Sequence, residues 1–104
     1  MRPSKIYKVL RGAQWSQAQA SGSFAGSPDD ARDGFIHFST AEQLEGTIER
    51  HFAGEENLVV LEVDAAALGD ALRWEPSRGG ALFPHLYGAL PMSAVVGTSA
   101  PGAR

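Results

Sequence analysis

The chemistry in this sequence is concentrated in a few polar residues set among aromatic ones. His37 lies in Gly34-Phe35-Ile36-His37-Phe38, where strand alternation puts Phe35 and His37 on one face and Ile36 and Phe38 on the other. Ser39 and Thr40 follow at a strand-to-helix corner, where the first N–H groups of a helix point outward, so an anionic ligand fits there beside a titratable imidazole. The same residues also suit a plain helix cap, with His37 hydrogen-bonded to a neighbour. His85 and Tyr87 straddle Leu86 between Pro84 and Gly88, a rigid polar segment of the kind that lines sites. Their other reading is a packing segment in which imidazole and hydroxyl satisfy buried carbonyls. Glu75 shares a strand face with Arg73 and opposes Trp74, so it is either half of an ion pair or a carboxylate in a cleft. His51, late on a helix beside Arg50 and Phe52, reads as a solvated histidine or one facing the helix C-terminal dipole.

Other chemistries are disfavoured. The histidines at 37, 51 and 85 lack paired i, i+4 spacing, and there is no Cys to complete a metal site. No Gly-x-Ser-x-Gly sequence occurs, which argues against a Ser-His-Asp hydrolase. Gly79-Gly80 lacks the Lys and the spacing of a phosphate loop and reads as a turn.

The elements that must position these residues follow from periodicity. Ile6 to Leu10 is a strand with Tyr7 and Val9 on one face and Ile6, Lys8 and Leu10 on the other. Gln14 to Ala20 forms a short helix that Gly22 ends. Ser21 to Asp33 has Phe24 as its one large apolar residue and reads as a surface loop, free to act as a lid. Ser39 with Glu42 and Thr40 with Gln43 both match the capping-box spacing. The helix they open carries the stripe Ala41, Leu44, Ile48 and Phe52, packs one face on a sheet and ends at Gly54. Leu58 to Val63 is β-branched and nearly continuous, a strand buried on both faces. Asp64 caps a short helix that Gly69 stops, and Leu72 to Glu75 is a further strand. Phe83 to Gly88 reads as an ordered loop, Ser93 to Gly97 as a last strand, and 98–104 as a frayed tail. Short strands interleaved with short helices predict an α+β domain on a twisted, mostly antiparallel sheet.

Composition bounds the rest. The chain has 104 residues, 43% apolar and 20% charged, enough for one packed domain over 1–104 and too apolar for disorder. A formal charge of −3, with no run of Lys or Arg, argues against double-stranded nucleic acid. The absence of Cys suits a reducing, cytoplasmic setting, and no apolar stretch reads as a signal peptide or membrane span.

Taken as a set, Ile6-Tyr7-Lys8-Val9, Trp15, Asp33 to Thr40, Gln43, the Leu58-to-Asp64 strand, Trp74-Glu75, Gly80 and Phe83 to Gly88 resemble the uncharacterised bacterial domain of unknown function 952. The resemblance covers nearly the whole chain. It implies a split antiparallel sheet similar to the ADP-ribosyltransferase fold, which holds NAD in a cleft. Ile36 to Thr40, Leu58 to Ala65 and Gly79-Gly80 also look like the C-terminal half of RNA 2′-phosphotransferases, which use NAD. The first strand offers Tyr7-Lys8 where such transferases usually carry His or Arg, and Glu75 is not part of a Glu-x-Glu pair.

The resemblance implies a cleft for a nucleotide or another small anionic metabolite. In it His37 or His85 orients or protonates, Glu75 stabilises a developing oxocarbenium and Tyr87 stacks on a base. Lys8, Ser39, Thr40 and Gln43 are the remaining ligand-binding candidates. The rival expectation is a non-catalytic module whose Phe83-to-Leu90 and Phe24 segments offer an apolar patch to a protein partner or a second copy.

Overall fold

A computed structural model describes residues 2–101, the side chain of Arg78 apart. Strand β1 (Lys5–Arg11) runs into helix α1 (Gly12–Ser21), which Gly22 closes in the left-handed conformation. Strand β2 (Ser23–Phe24), helix α2 (Pro28–Asp33) and strand β3 (Ile36–His37) lead to helix α3 (Ala41–His51). Then come β4 (Leu58–Asp64), a 3₁₀ segment (Ala65–Ala71), β5 (Leu72–Pro76), β6 (Leu82–Leu86), β7 (Leu90–Pro91) and β8 (Val95–Ser99).

Among the described residues the strand pairings are antiparallel, in the orders β1-β4-β8, β2-β7 and β3-β6-β5. Tyr7 and Ser39 exchange N–H···O bonds of 2.8 and 2.9 Å and so join the first sheet to the chain leaving the third. This antiparallel α+β architecture is the class that the sequence predicts.

Two apolar clusters lie on opposite faces of β1 and β4. Ile6, Leu10, Leu61 and Val63 pack with Phe24, Ile36, Phe38, Leu86 and Leu90 on one side. Val9 and Val60 pack on the other with Leu44 of α3, and Ile48 and Phe52 close over them, so three of the four predicted stripe residues face the sheet. Of the two capping boxes offered, Thr40 with Gln43 forms, because Thr40 is the residue whose backbone remains extended before the first helical turn.

Several local expectations are corrected. Ser21 to Asp33 is not a loop: Ser23–Phe24 pairs with β7, and Ser27 caps α2 with Pro28 at its first turn and Gly34 (φ 86°) at its end. Phe83 to Leu86 belongs to β6, the middle strand of its sheet. Pro84 removes a donor there, but its carbonyl accepts the Phe38 N–H at 3.0 Å, so the ladder is interrupted on the donor side only. Helix α3 ends at His51, before Gly54. Thr98 and Ser99 pair with Leu61 and Val60, which keeps the start of the expected tail in β8; 102–104 lie outside the described residues. The residues expected to form an apolar patch, Phe24, Phe83, Leu86 and Leu90, are all buried. Among the described residues no helix is long and apolar enough to cross a membrane.

Candidate functional site

Antiparallel register brings the two chemistry-bearing segments together. His37 of β3 and His85 of β6 are direct cross-strand partners, with ring centroids 5.7 Å apart and edge-on. Phe35 covers both, stacked on His85 at 4.0 Å and tilted against His37 at 4.6 Å.

His85 is 5% exposed, and its Nδ1 lies 2.7 Å from Oε1 of Glu75. The same oxygen accepts the Tyr87 hydroxyl at 2.8 Å. These two hydrogen bonds, His85 foremost, hold the Glu75 carboxyl below its ordinary value, and the bond to Glu75 raises the Tyr87 phenol. An ionised carboxylate only accepts, so Nδ1 carries a proton, and in the neutral ring Nε2 then holds the lone pair. No described residue hydrogen-bonds Nε2, and among the described residues no fully buried side-chain nitrogen or oxygen lacks a partner, so Nε2 is not sealed off, and His85 lines a cavity. A neutral ring aimed by a carboxylate is the arrangement of a general base. Glu75 thus meets an imidazole where the sequence suggested Arg73, whose guanidinium lies over the Tyr87 ring at 4.9 Å.

His37 is held from both sides. Its Nδ1 is 2.6 Å from Asp30 Oδ1 and its Nε2 is 2.9 Å from Asp33 Oδ2. Both contacts are hydrogen bonds at once only when the ring carries two protons. Asp30 is 3% exposed and also receives Nζ of Lys8 at 3.0 Å and the backbone N–H of Ser27 at 2.9 Å. Burial alone would raise the Asp30 carboxyl, but His37, Lys8 and Ser27 together outweigh it and hold it well below the carboxylate range. Burial lowers the Lys8 ammonium, and Asp30 offsets this only in part. The guanidinium of Arg32 is the main cause of the lowered Asp33 carboxyl.

A cavity of about 260 Å³ opens where these groups meet, lined by His37, His85, Asp30, Asp33, Ser39 and Phe83 among others. Of the sequence candidates, His37, His85, Ser39 and Lys8 reach it. Glu75 and Tyr87 stand behind His85. Lys8 Nζ donates to Asp30 Oδ1 at 3.2 Å and to the His37 carbonyl at 2.8 Å and is ion-paired with Asp30 Oδ2 at 3.0 Å, so it positions the site. Thr40 and Gln43 serve the α3 cap, and Gln43 also donates to the Leu82 carbonyl at 2.8 Å. Ser39 pairs with the Thr47 hydroxyl at 2.8 Å.

Asp30, Asp33 and Phe35 were missed as site residues. Their signal was present: Ser27-Pro28-x-Asp30 followed by Gly34 is a helix start and stop, and a helix there turns the Asp30 and Asp33 side chains toward one neighbour. Size bears on NAD, which the resemblance implies. The chamber is slightly below the roughly 300–1,000 Å³ of small-ligand sites. Among the described residues no group of His, Asp and Glu is arranged to hold a metal ion.

Comparison with known proteins places the chain. The crystal structure of Protein CC0527 from Caulobacter crescentus is 50% identical and superposes with a TM-score of 0.90, over 92% of this chain and 84% of that one. The solution structure of CC0527 gives 49% identity and a TM-score of 0.83, over 93% and 84% of the two chains. No protein with a curated description matches the sequence. The family model described as Protein of unknown function (DUF952) matches residues 9–98, nearly the whole chain, and to that family the chain belongs.

Proposed function

We propose that this is a small cytoplasmic enzyme domain whose cleft binds a nucleotide through its nucleoside portion and carries out acid–base chemistry on it, with glycosyl transfer as the reaction class. The observation that carries the reading is the Tyr87–Glu75–His85 chain, which ends on an imidazole Nε2 open to a cavity. In the proposed step Nε2 takes a proton from an attacking hydroxyl or water as its oxygen bonds to the anomeric carbon and the bond from that carbon to the base breaks; Glu75 stabilises the charge on the ring until the imidazolium returns the proton to the departing base. The aromatic wall at Phe83 and the carboxylate of Asp33 suit a heterocycle and a ribose. An ADP-ribosyltransferase-like fold is part of the proposal, supported by the two antiparallel sheets that meet at Tyr7 and Ser39, both of which line the cavity.

A thermal-shift screen with adenosine, adenosine monophosphate, ADP-ribose and NAD tests the reading. A ligand at about a hundred times its Kd adds about 2.7 kcal/mol, a rise of roughly ten degrees in a domain of this size. His85→Gln should abolish the rise, and Tyr87→Phe, at a half-exposed position, should shrink it. A flat response to all four compounds overturns the proposal.

A further inference from the structure

We infer that the ligand carries a phosphate and that this group seats at Arg11, in a second chamber that shares Lys8 with the first and is not lined by His37 or His85. The inference rests on the nucleoside reading of the cleft and adds where the anionic end lies.

The second chamber is about 200 Å³ and shares Lys8, Val9, Ser27, Asp29, His51 and Phe52 with the first, so the two adjoin as one groove. What the second adds is hydrogen-bond donors. Arg11 uses Nε and Nη2 on Glu55 at 2.8 and 2.9 Å, and no described residue hydrogen-bonds its Nη1. Gln14 accepts the Arg11 N–H at 2.8 Å through Oε1, which leaves its amide Nε2 without a partner among the described residues. The guanidinium lies 5.0 Å from the centroid of the Phe52 ring, which holds it at the chamber.

Charge decides which chamber takes the anion. In the first, Lys8 Nζ donates to Asp30 and to the His37 carbonyl, and Asp29, Asp30 and Asp33 line the wall. A phosphate there meets three carboxylates, two of which share the guanidinium of Arg32, whereas the partner of Arg11, Glu55, lines neither chamber. In the second, the Arg11–Glu55 pair is solvent-exposed, with side chains 48% and 35% accessible. Exposed pairs hold weakly, so a phosphate dianion can take the guanidinium in place of Glu55. The geometry therefore points to a nucleoside phosphate lying along the groove, its ribose at His85 and its phosphate at Arg11.

Calorimetric titration of the whole chain with adenosine and with adenosine monophosphate tests this. The monophosphate should bind about tenfold tighter or better, the gain of a charge-assisted contact. Arg11→Gln should remove that gain and leave adenosine affinity in place; Glu55→Gln, which frees the guanidinium, should enlarge it. Both positions are exposed, so neither change threatens the fold. Equal affinity for the two ligands, or a phosphate gain that survives Arg11→Gln, overturns the inference alone. Binding of neither ligand overturns it together with the nucleoside reading of the cleft.

Discussion

At the scale of single residues, the controlling feature is a buried ion pair that does not bind anything itself. Lys8 and Asp30 are both buried, and Asp30 fixes both the backbone N–H (3.2 Å) and the ring of His37. Removing one partner of such a pair leaves an uncompensated charge in a low-dielectric interior. Asp30→Asn should therefore destabilise the chain by roughly 3–5 kcal/mol in urea unfolding, whereas replacing both members (Lys8→Met with Asp30→Leu) should recover most of that. The carboxyl is depressed in the folded state, so its stabilising contribution is complete above the unfolded value of about 3.9 and is lost as pH falls below it. The urea midpoint of the native chain should begin to drop below about pH 5 and keep dropping below about pH 3, and Asp30→Asn should flatten that drop. An unchanged acid slope in the variant would assign the drop to other carboxylates.

At the scale of elements, α2 is the instructive case. Its sequence Pro-Asp-Asp-Ala-Arg-Asp has no large apolar side chain, and Asp30 is its one buried residue. The helix is held by its cap, its left-handed Gly34 and the polar contacts to Lys8 and His37. Ser27→Ala should cost about 1 kcal/mol, the ordinary value of an N-cap, and should speed amide exchange in α2 first. Exchange that accelerates evenly across all strands would show that α2 opens only with the whole domain. The contrast with α3 is physical: α3 buries an apolar stripe against β1 and β4, so it was legible from periodicity, while α2 was legible only from its end signals.

At the scale of the whole molecule, β1 and β4 contribute side chains to both apolar clusters, so neither cluster can dissolve while the other persists. The radius of gyration is 12.6 Å, close to the roughly 13 Å of a single packed domain of about a hundred residues. Leu61, fully buried in the larger cluster, should cost about 2–5 kcal/mol as Leu61→Ala, a large part of the 5–15 kcal/mol typical of such domains. Unfolding should remain one transition, with far-ultraviolet dichroism and tryptophan fluorescence coincident; two separated transitions would show that the clusters unfold independently.

The sequence alone determined the local pieces: β1 and β4 from their apolar runs, the Thr40–Gln43 cap, the α3 stripe, the Asp64 cap and the α+β class. Each rests on interactions within a few residues, which spacing encodes. It also singled out His37, His85 and Glu75, but gave no means of pairing them. That His37 faces His85 is a register of β3 on β6, and that Glu75 meets His85 while Arg73 lies over Tyr87 is a register of β5 on β6. The β3–β6 register joins strands separated by dozens of residues and is set by how the two cores close, and across the short β5–β6 connection the side-chain spacing alone does not say which residues face each other. The same holds for Lys8 and Asp30: from the sequence Lys8 reads as a ligand-binding candidate and Asp30 as part of a surface loop, and only tertiary packing makes them partners, because a buried ammonium needs a buried carboxylate and the fold brings that one within reach.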